Sequence, residues 1–285
     1  MNSKIDYFLT SLEKKISSRI NQCPYCKSNL NDSSVVDRKF LVTSLVSCKK
    51  CKLLVRTPTD DVVESDQFYQ QEYSQGYTTD CPSDVELTKL IASRFVGTER
   101  DYSRYLRFFE FLGISKSQRF LDFGCSWGYG LSQVIDGGYL KAEGFEVSVP
   151  RARYGMEKLK VPIHTNPKDL SARYDTIFSS HVLEHLPDFA LINKLYNNHL
   201  NPGGYFVAIT PNGSNDFKNT DYNAYHSLWG KVHPVLLCDA FVKENFKDVL
   251  HYLDSWNTMD PIFKKSGELV TLDKYELVFV LRKPL

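Results

Sequence analysis

An α/β fold is predicted: a seven-stranded, mostly parallel sheet with helices on both faces, preceded by a small four-cysteine module. Three observations carry that expectation. From Phe120 onward, short apolar runs alternate with helical patterns, as in βα units that build a parallel sheet. The first of those runs breaks into Gly124-Cys125-Ser126-Trp127-Gly128-Tyr129-Gly130 and resumes as a helix at Leu131-Ser132-Gln133-Val134-Ile135. Ahead of it stand Cys23-Pro24-Tyr25-Cys26 and Cys48-Lys49-Lys50-Cys51, with 21 residues between the pairs.

Bulk properties narrow the classes. At 285 residues the chain holds one large domain and a smaller module. Lys+Arg is 35 and Asp+Glu is 34, a net charge of +1, so no broad electrostatic footprint for nucleic acid exists. No apolar run approaches the ~18 residues of a membrane span. The N-terminus lacks a secretory h-region, and the expected location is the cytoplasm. In a reducing compartment, C-x-x-C pairs bind metal more often than they form disulfides.

The elements follow in order. Residues 1–20 read as an amphipathic helix, with Ile5, Phe8, Leu9, Leu12, Ile16 and Ile20 at helical spacing behind a Ser3/Asp6 capping pair. Packing on the next module accounts for that face better than membrane binding does. Residues 21–58 form the four-cysteine module. Each pair makes a tight knuckle, and two knuckles complete a closed, structural tetrahedral zinc site from Cys23, Cys26, Cys48 and Cys51. Ser34–Val42 and Lys52–Val55 supply its strands. So small a module buries too little apolar surface alone, and metal binding supplies folding energy. The alternative, a redox pair, lacks its βαβ context.

Residues 59–97 are a connector. Phe68, Tyr69, Tyr73 and Tyr77 crowd ten residues and suit a lid, with Tyr77 a candidate acceptor contact, or else packing between modules. Helices are expected over Asp84–Val96, after Ser83, and over Glu99–Leu112, with Thr98 as N-cap and Gly113 as C′. Residues 98–285 form the main domain. Its strands are expected at Phe120–Phe123, Lys141–Glu146, Val161–His164, Thr176–Ser180, Tyr205–Thr210, Val249–Leu253 and Glu276–Arg282. One of its helices, Ala190–Leu200, ends at Asn201-Pro202-Gly203-Gly204.

The glycine loop is a ligand cradle. Glycines allow close backbone approach, and the helix N-terminus offers free N–H groups. Its order is Asp122-x-Gly124-x-x-x-Gly128-x-Gly130 rather than the dinucleotide G-x-G-x-x-G. Glu146 ends the second strand 24 positions after Asp122, placed to accept ribose hydroxyls, or else a solvated strand end. Downstream come the Asp175-bearing strand, V-L-E-H-x-x-D at Val182–Asp188, and P-G-G at Pro202–Gly204.

Together these motifs resemble class I S-adenosylmethionine-dependent methyltransferases of the ubiquinone-methyltransferase-like type, from about residue 98 to the C-terminus. The resemblance implies a Rossmann-like domain and S-adenosylmethionine as cofactor, its cationic sulfonium and amino group suited to the Asp122 carboxylate. It implies cofactor contacts at Asp122, Phe123, Gly124, Gly128, Gly130, Glu146 and Ser180. The front half, with its ribbon, the C-x-x-C-x-L-L-V-x-x-P turn at Cys48–Pro58 and the Tyr-rich segment, resembles a group of bacterial methyltransferases that act mostly on sugars. That implies a nucleotide-linked sugar or glycan end as acceptor, with O- or C-methylation, in polysaccharide or natural-product biosynthesis.

Methyl transfer needs alignment, exclusion of water and, for a hydroxyl acceptor, a base. His181, Glu184, His185 and His233 are the candidates. They serve as a general base (His181 or His233), as ligands of a second, divalent metal, or as loop supports. Related metal-using enzymes carry E-x-x-E-H, whereas this chain has His181 at the first position. Asn212, Tyr225, His226 and Trp229, after the fifth strand, are candidate substrate contacts; core packing accounts for the aromatics equally well. Two rivals remain open: an RNA methyltransferase whose ribbon reads RNA, and a cofactor-binding module without turnover.

Overall fold

The computed structural model describes residues 3–16, 21–60, 80–170, 173–247, 249–257, 263–264 and 270–285. In chain order the elements are α1 (Ser3–Ile16), β1 (Ser34–Lys39), β2 (Thr43–Ser47), β3 (Leu54–Thr57), α2 (Asp84–Ala92), α3 (Ser103–Phe111), β4 (Phe120–Phe123), α4 (Tyr129–Asp136), β5 (Ala142–Phe145) and α5 (Val149–Lys158). They continue with β6 (Ile163–His164), β7 (Tyr174–Ser180), α6 (Leu191–Lys194), β8 (Leu200–Pro211), α7 (Asn215–Thr220), α8 (Tyr222–Leu228), β9 (Val235–Leu236), α9 (Asp239–Phe246), β10 (Leu250–Trp256) and β11 (Glu276–Arg282). The seven-stranded sheet has the order β10-β11-β8-β7-β4-β5-β6. β4 pairs in parallel with both β5 and β7, β5 in parallel with β6, and β10 antiparallel with β11. β4 therefore has a later strand on either side, and strand order turns there. In an open α/β sheet, that position puts a ligand crevice at the carboxyl end of the strand.

The chain divides into two compact units. One comprises Met1–Ser65, His181–Asn193 and Ile209–Leu281, the other Asp66–Ser180, Lys194–Ala208 and Arg282–Leu285. In the second unit, Phe120, Leu121, Asp122 and Phe123 are all buried, as a central strand requires. Trp127 forms a core with Leu87 and Phe95, against which Leu90, Tyr129, Tyr154 and Leu159 pack. In the first unit, β1, β2 and β3 make an antiparallel sheet to which β9 adds at the edge of β3, with Leu54 opposite Leu236 and Val55 opposite Val235.

Several boundaries differ from the sequence expectation, each for a local reason. α2 starts with a full capping box between Ser83 and Glu86 but stops at Ala92, because Arg94 and Phe95 turn left-handed at φ 51° and 61°. α3 starts at Ser103 rather than Glu99. The Thr98 hydroxyl donates to the Phe95 carbonyl and accepts the Arg100 N–H at 3.2 Å, but the helix begins only after Asp101 takes the Ser103 N–H at 2.8 Å. Gly113 is left-handed at φ 73°, as a C′ residue should be. The helix expected over Ala190–Leu200 is one α turn followed by a wider turn at Leu195–His199. β8 runs straight through Pro202-Gly203-Gly204, because Gly203 and Gly204 exchange backbone hydrogen bonds with Lys283 of the C-terminal segment: Gly203 N–H to Lys283 O and Lys283 N–H to Gly204 O, each 2.9 Å. The tyrosine-rich run Phe68–Tyr77 lies outside the described residues.

Candidate active site

The cradle forms where β4 gives way to α4. Gly124 and Gly128 take φ 84° and 76°, and Gly128 is the left-handed N-cap of α4. A side chain at 128 would meet Val161 Cγ2 at 2.7 Å, and one at 130 would meet Tyr102 Cζ at 2.2 Å. The first two loop amides, of Gly124 and Cys125, donate to the Phe145 carbonyl at 2.8 and 3.1 Å, locking the loop to β5. The loop also engages the next acidic residue: Glu146 Oε2 accepts the Ser126 N–H at 3.0 Å, and Oε1 accepts the Ser148 N–H at 2.7 Å. Phe123 stacks on Phe145 with ring centres 5.3 Å apart, and the Ser180 hydroxyl lies 3.3 Å from Tyr105 OH.

Two acids are buried here, Asp122 at 1 % and Glu146 at 7 % exposure. Burial and then the nearby Glu146 push the Asp122 carboxyl up to about 7. Burial also raises Glu146, against the Ser148 and Ser126 amides and the Arg151 charge. Burial raises Tyr102 and Cys125, which also sense the Asp122 charge, so both stay neutral and neither adds to nor offsets the acid there. Asp122 Oδ2 and Ser126 Oγ are buried without a hydrogen-bond partner. A cradle with surplus acid and orphaned oxygens fits a cationic ligand that also carries hydroxyls, as S-adenosylmethionine does.

The histidine cluster belongs to the other unit. His181, left-handed at φ 53°, follows Ser180. Its Nε2 lies 2.7 Å from Glu276 Oε1 and its Nδ1 3.4 Å from Glu184 Oε1, both carboxylates fully buried. Burial alone would lower this imidazole's pKa; the two carboxylates outweigh it and raise it to about 10. Thr210 Oγ1 donates to Glu184 Oε2 at 3.2 Å. His185 Nδ1 donates to the Val232 carbonyl at 2.9 Å, and His233 Nδ1 to the Leu228 carbonyl at 2.5 Å. The two rings are 4.7 Å apart. Glu184, His185 and His233 each bring one donor atom to within 4.8 Å of the others, a spacing a metal ion can bridge.

The four expected metal-binding cysteines do converge, with one sulfur each inside the same 4.8 Å limit. Cys23 Sγ lies 3.5 Å from Cys51 Sγ, and Cys26 Sγ 3.5 Å from Cys48 Sγ. The knuckles repeat one pattern. Lys27 N–H returns to Cys23 O and Lys52 N–H to Cys48 O, both at 2.9 Å, and both lysines are left-handed. Four convergent thiols without carboxylate or open position suit a structural zinc.

The expected acceptor contacts have other engagements. Asn212 Nδ2 donates to the Leu272 and Lys274 carbonyls at 2.9 and 2.8 Å, and its Oδ1 accepts from Ser214 N–H. Trp229 Nε1 and His226 Nδ1 both bind Asp37 Oδ2, at 2.8 and 2.7 Å, while Tyr222 OH binds Oδ1 at 2.9 Å. Tyr225 is fully buried. Tyr77 lies outside the described residues. Three residues that pattern reading passed over belong to these sites: Ser126, Tyr102 over Gly130, and Asp37 as anchor for the α8 aromatics.

A methyltransferase-domain family model matches residues 97–259, more than half of the chain. Among solved structures, a SAM dependent methyltransferase from Archaeoglobus fulgidus is 15 % identical with a TM-score of 0.47, covering 70 % of this chain and 100 % of that one. A chain of the complex between the Haloferax volcanii Trm112 methyltransferase activator and the putative methyltransferase is 18 % identical with a TM-score of 0.49, covering 71 % and 98 %. The glycopeptide N-methyltransferase MtfA with sinefungin is 16 % identical with a TM-score of 0.43, covering 63 % and 93 %. No curated protein sequence matches the chain. With the family match lying over the cradle and every strand of its sheet but β11, the chain belongs to the methyltransferase-domain family and is an S-adenosylmethionine-dependent methyltransferase.

Proposed function

We propose that the enzyme methylates a carbohydrate, a nucleotide-linked sugar or a glycan end, at a hydroxyl or at a carbon beside a carbonyl. The acceptor class rests on the conjunction of a four-cysteine ribbon, the C-x-x-C-x-L-L-V-x-x-P turn and a tyrosine-rich connector ahead of a methyltransferase domain. The near-neutral charge argues against RNA as acceptor.

In this reading Glu146 takes the ribose hydroxyls and Asp122 the positive end of the cofactor, with Gly124, Gly128 and Gly130 giving the backbone room to approach. Bound S-adenosylmethionine supplies the electrophilic methyl and its sulfide leaving group. His233 takes the acceptor proton. Its Nδ1–H is spent on the Leu228 carbonyl, which leaves the lone pair on Nε2. His181 faces a carboxylate with each ring nitrogen and acts as a fixed cation that holds Glu184 and Glu276 together. Zinc in the cysteine site holds the ribbon. A second reading gives the Glu184, His185 and His233 cluster a divalent cation that lowers the acceptor hydroxyl's pKa; the 4.8 Å convergence favours it.

Labelled S-adenosylmethionine offered with nucleotide sugars, total bacterial glycan and unmodified ribosomal RNA tests the acceptor. Label in a sugar supports the proposal. Label in RNA, or in none of the three, overturns the carbohydrate assignment.

A further inference from the structure

Ser126 carries two penalties at one position. Its φ is +53°, in the left-handed region, while the other left-handed residues of the same loop, at 124 and 128, are glycines. A residue with a Cβ is disfavoured there. Its hydroxyl is also buried and without a hydrogen-bond partner, the residue being 6 % exposed. An unpaired buried hydroxyl is destabilising as well. A glycine would remove both penalties with no loss of any hydrogen bond that the Ser126 side chain makes. Strain and an orphaned polar atom on one residue inside a ligand cradle point to a role in function rather than folding.

The Ser126 amide identifies the end of the cofactor. It donates to Glu146 Oε2 at 3.0 Å, so residue 126 is tied to the carboxylate read above as the ribose acceptor. A carboxylate only accepts. A ribose diol that donates both hydroxyl protons to it still presents oxygens that want a donor, and a serine hydroxyl supplies one.

We propose that Ser126 Oγ is a second ribose-binding group, donating to the diol whose protons Glu146 accepts, and that the loop keeps a strained serine for this contact. The inference rests on the ribose reading of Glu146.

Calorimetric titration tests it with two ligands: S-adenosylhomocysteine, and 5′-methylthioadenosine, which keeps the nucleoside but lacks the amino-acid end. Ser126→Ala removes only the hydroxyl; Ser126→Gly also relieves the backbone. Both variants should bind both ligands about five- to tenfold more weakly. Without ligand, Ser126→Gly should melt at a higher temperature than the wild type. Unchanged affinity in Ser126→Ala overturns the proposal, as does a loss confined to S-adenosylhomocysteine, which would move the contact to the amino-acid end. Glu146→Gln separates the two readings. If it leaves methylthioadenosine binding intact, the ribose role of Glu146 fails. If it weakens binding while Ser126→Ala does not, the serine alone fails.

Discussion

Tyr102 closes over Gly130 so tightly that a Cβ at 130 would lie 2.2 Å from its Cζ and 2.6 Å from its hydroxyl oxygen. The tyrosine has little freedom to yield. Its backbone N–H donates to Gln133 Oε1 at 2.9 Å, and its ring meets those of Tyr105, Tyr129 and Phe178 edge-on at 4.7, 5.6 and 6.1 Å. Gly130→Ala should therefore cost about 1–3 kcal/mol by overpacking and weaken cofactor binding, since residue 130 lies in the first turn of α4, directly after the glycine loop. Tyr102→Ala should remove most of the added cost of Gly130→Ala. Denaturant unfolding of the two single variants and the double variant measures the coupling; strictly additive costs would show that the pair does not interact as described.

Asp122 makes both stability and binding depend on pH. The native protein holds a proton on Asp122 up to about pH 7, because burial and Glu146 raise it. An unfolded chain releases that proton near pH ~3.9. Between those values the native state binds more protons, so ligand-free stability should fall as pH rises, by at most about 4 kcal/mol. A cationic ligand favours the ionised carboxylate. Affinity for S-adenosylmethionine should therefore rise with pH below 7, by up to about tenfold per unit. Asp122→Asn should flatten both slopes, as read by urea unfolding and by calorimetry from pH 5 to 8. A wild-type affinity that does not change with pH would refute the assignment.

The cradle was legible in sequence because its chemistry is written in residue types. Gly124 and Gly128 stand where φ is positive, and Glu146 stands at the tip of the neighbouring strand. The strain on Ser126 was not legible, since a serine declares nothing until its φ is known. Helix starts show the same divide. The Ser83/Glu86 box marks α2 correctly, but Thr98, Asp101 and Ser103 offer rival starts for α3 within six residues, and the Thr98 hydroxyl turns back to Phe95. The two-residue strand β9 and the anchoring of Trp229 and His226 by Asp37 depend on partners nearly two hundred positions away. Local pattern holds no trace of such pairs.

Asp37 gathers four donors on one buried carboxylate: Trp229 Nε1, His226 Nδ1, Tyr222 OH and the Arg38 N–H. Burial alone would raise its pKa; the donors outweigh that and hold it below the usual carboxylate range. Asp37→Ala should cost about 2–4 kcal/mol, because Trp229 Nε1 would be left buried without an acceptor. Asp37→Asn should not rescue, since its amide would turn a donor toward donors. The contribution is present at neutral pH and is lost as pH falls through the lowered native value. In Trp229→Phe, which removes the buried donor, the cost of Asp37→Ala should shrink; an unchanged cost would mean the carboxylate acts elsewhere.

The ribbon should depend on metal. Backbone hydrogen bonds shape each knuckle, but Cys23, Cys48 and Cys51 are buried with the four sulfurs convergent, which is the arrangement one bound zinc would tie together. The double variant Cys23→Ser, Cys26→Ser should lose one zinc per chain by elemental analysis. It should also lose hydrogen-exchange protection across residues 34–57, whose strands hang on the knuckles. Full protection with no zinc bound would show that β1, β2 and β3 stand on packing alone.

His233 and the cluster beside it divide the two mechanistic readings. If His233 is the base, His233→Ala should lower kcat by about 10²–10⁴-fold with KM little changed, the range for losing a positioned proton acceptor. Turnover should then survive dialysis against a chelator too mild to strip the cysteine site, and manganese should not stimulate it. If Glu184, His185 and His233 hold a divalent cation, chelation abolishes turnover, manganese restores it, and Glu184→Gln weakens manganese binding. The geometry explains why one variant cannot decide. His233 lies with its ring 4.7 Å from that of His185, and a donor atom of each is within 4.8 Å of Glu184, so His233→Ala removes a base and a ligand together. Glu184→Gln keeps the His233 lone pair while neutralising the carboxylate. A kcat that tracks manganese occupancy in Glu184→Gln transfers the role to the metal, and a kcat indifferent to manganese in both proteins leaves it with His233.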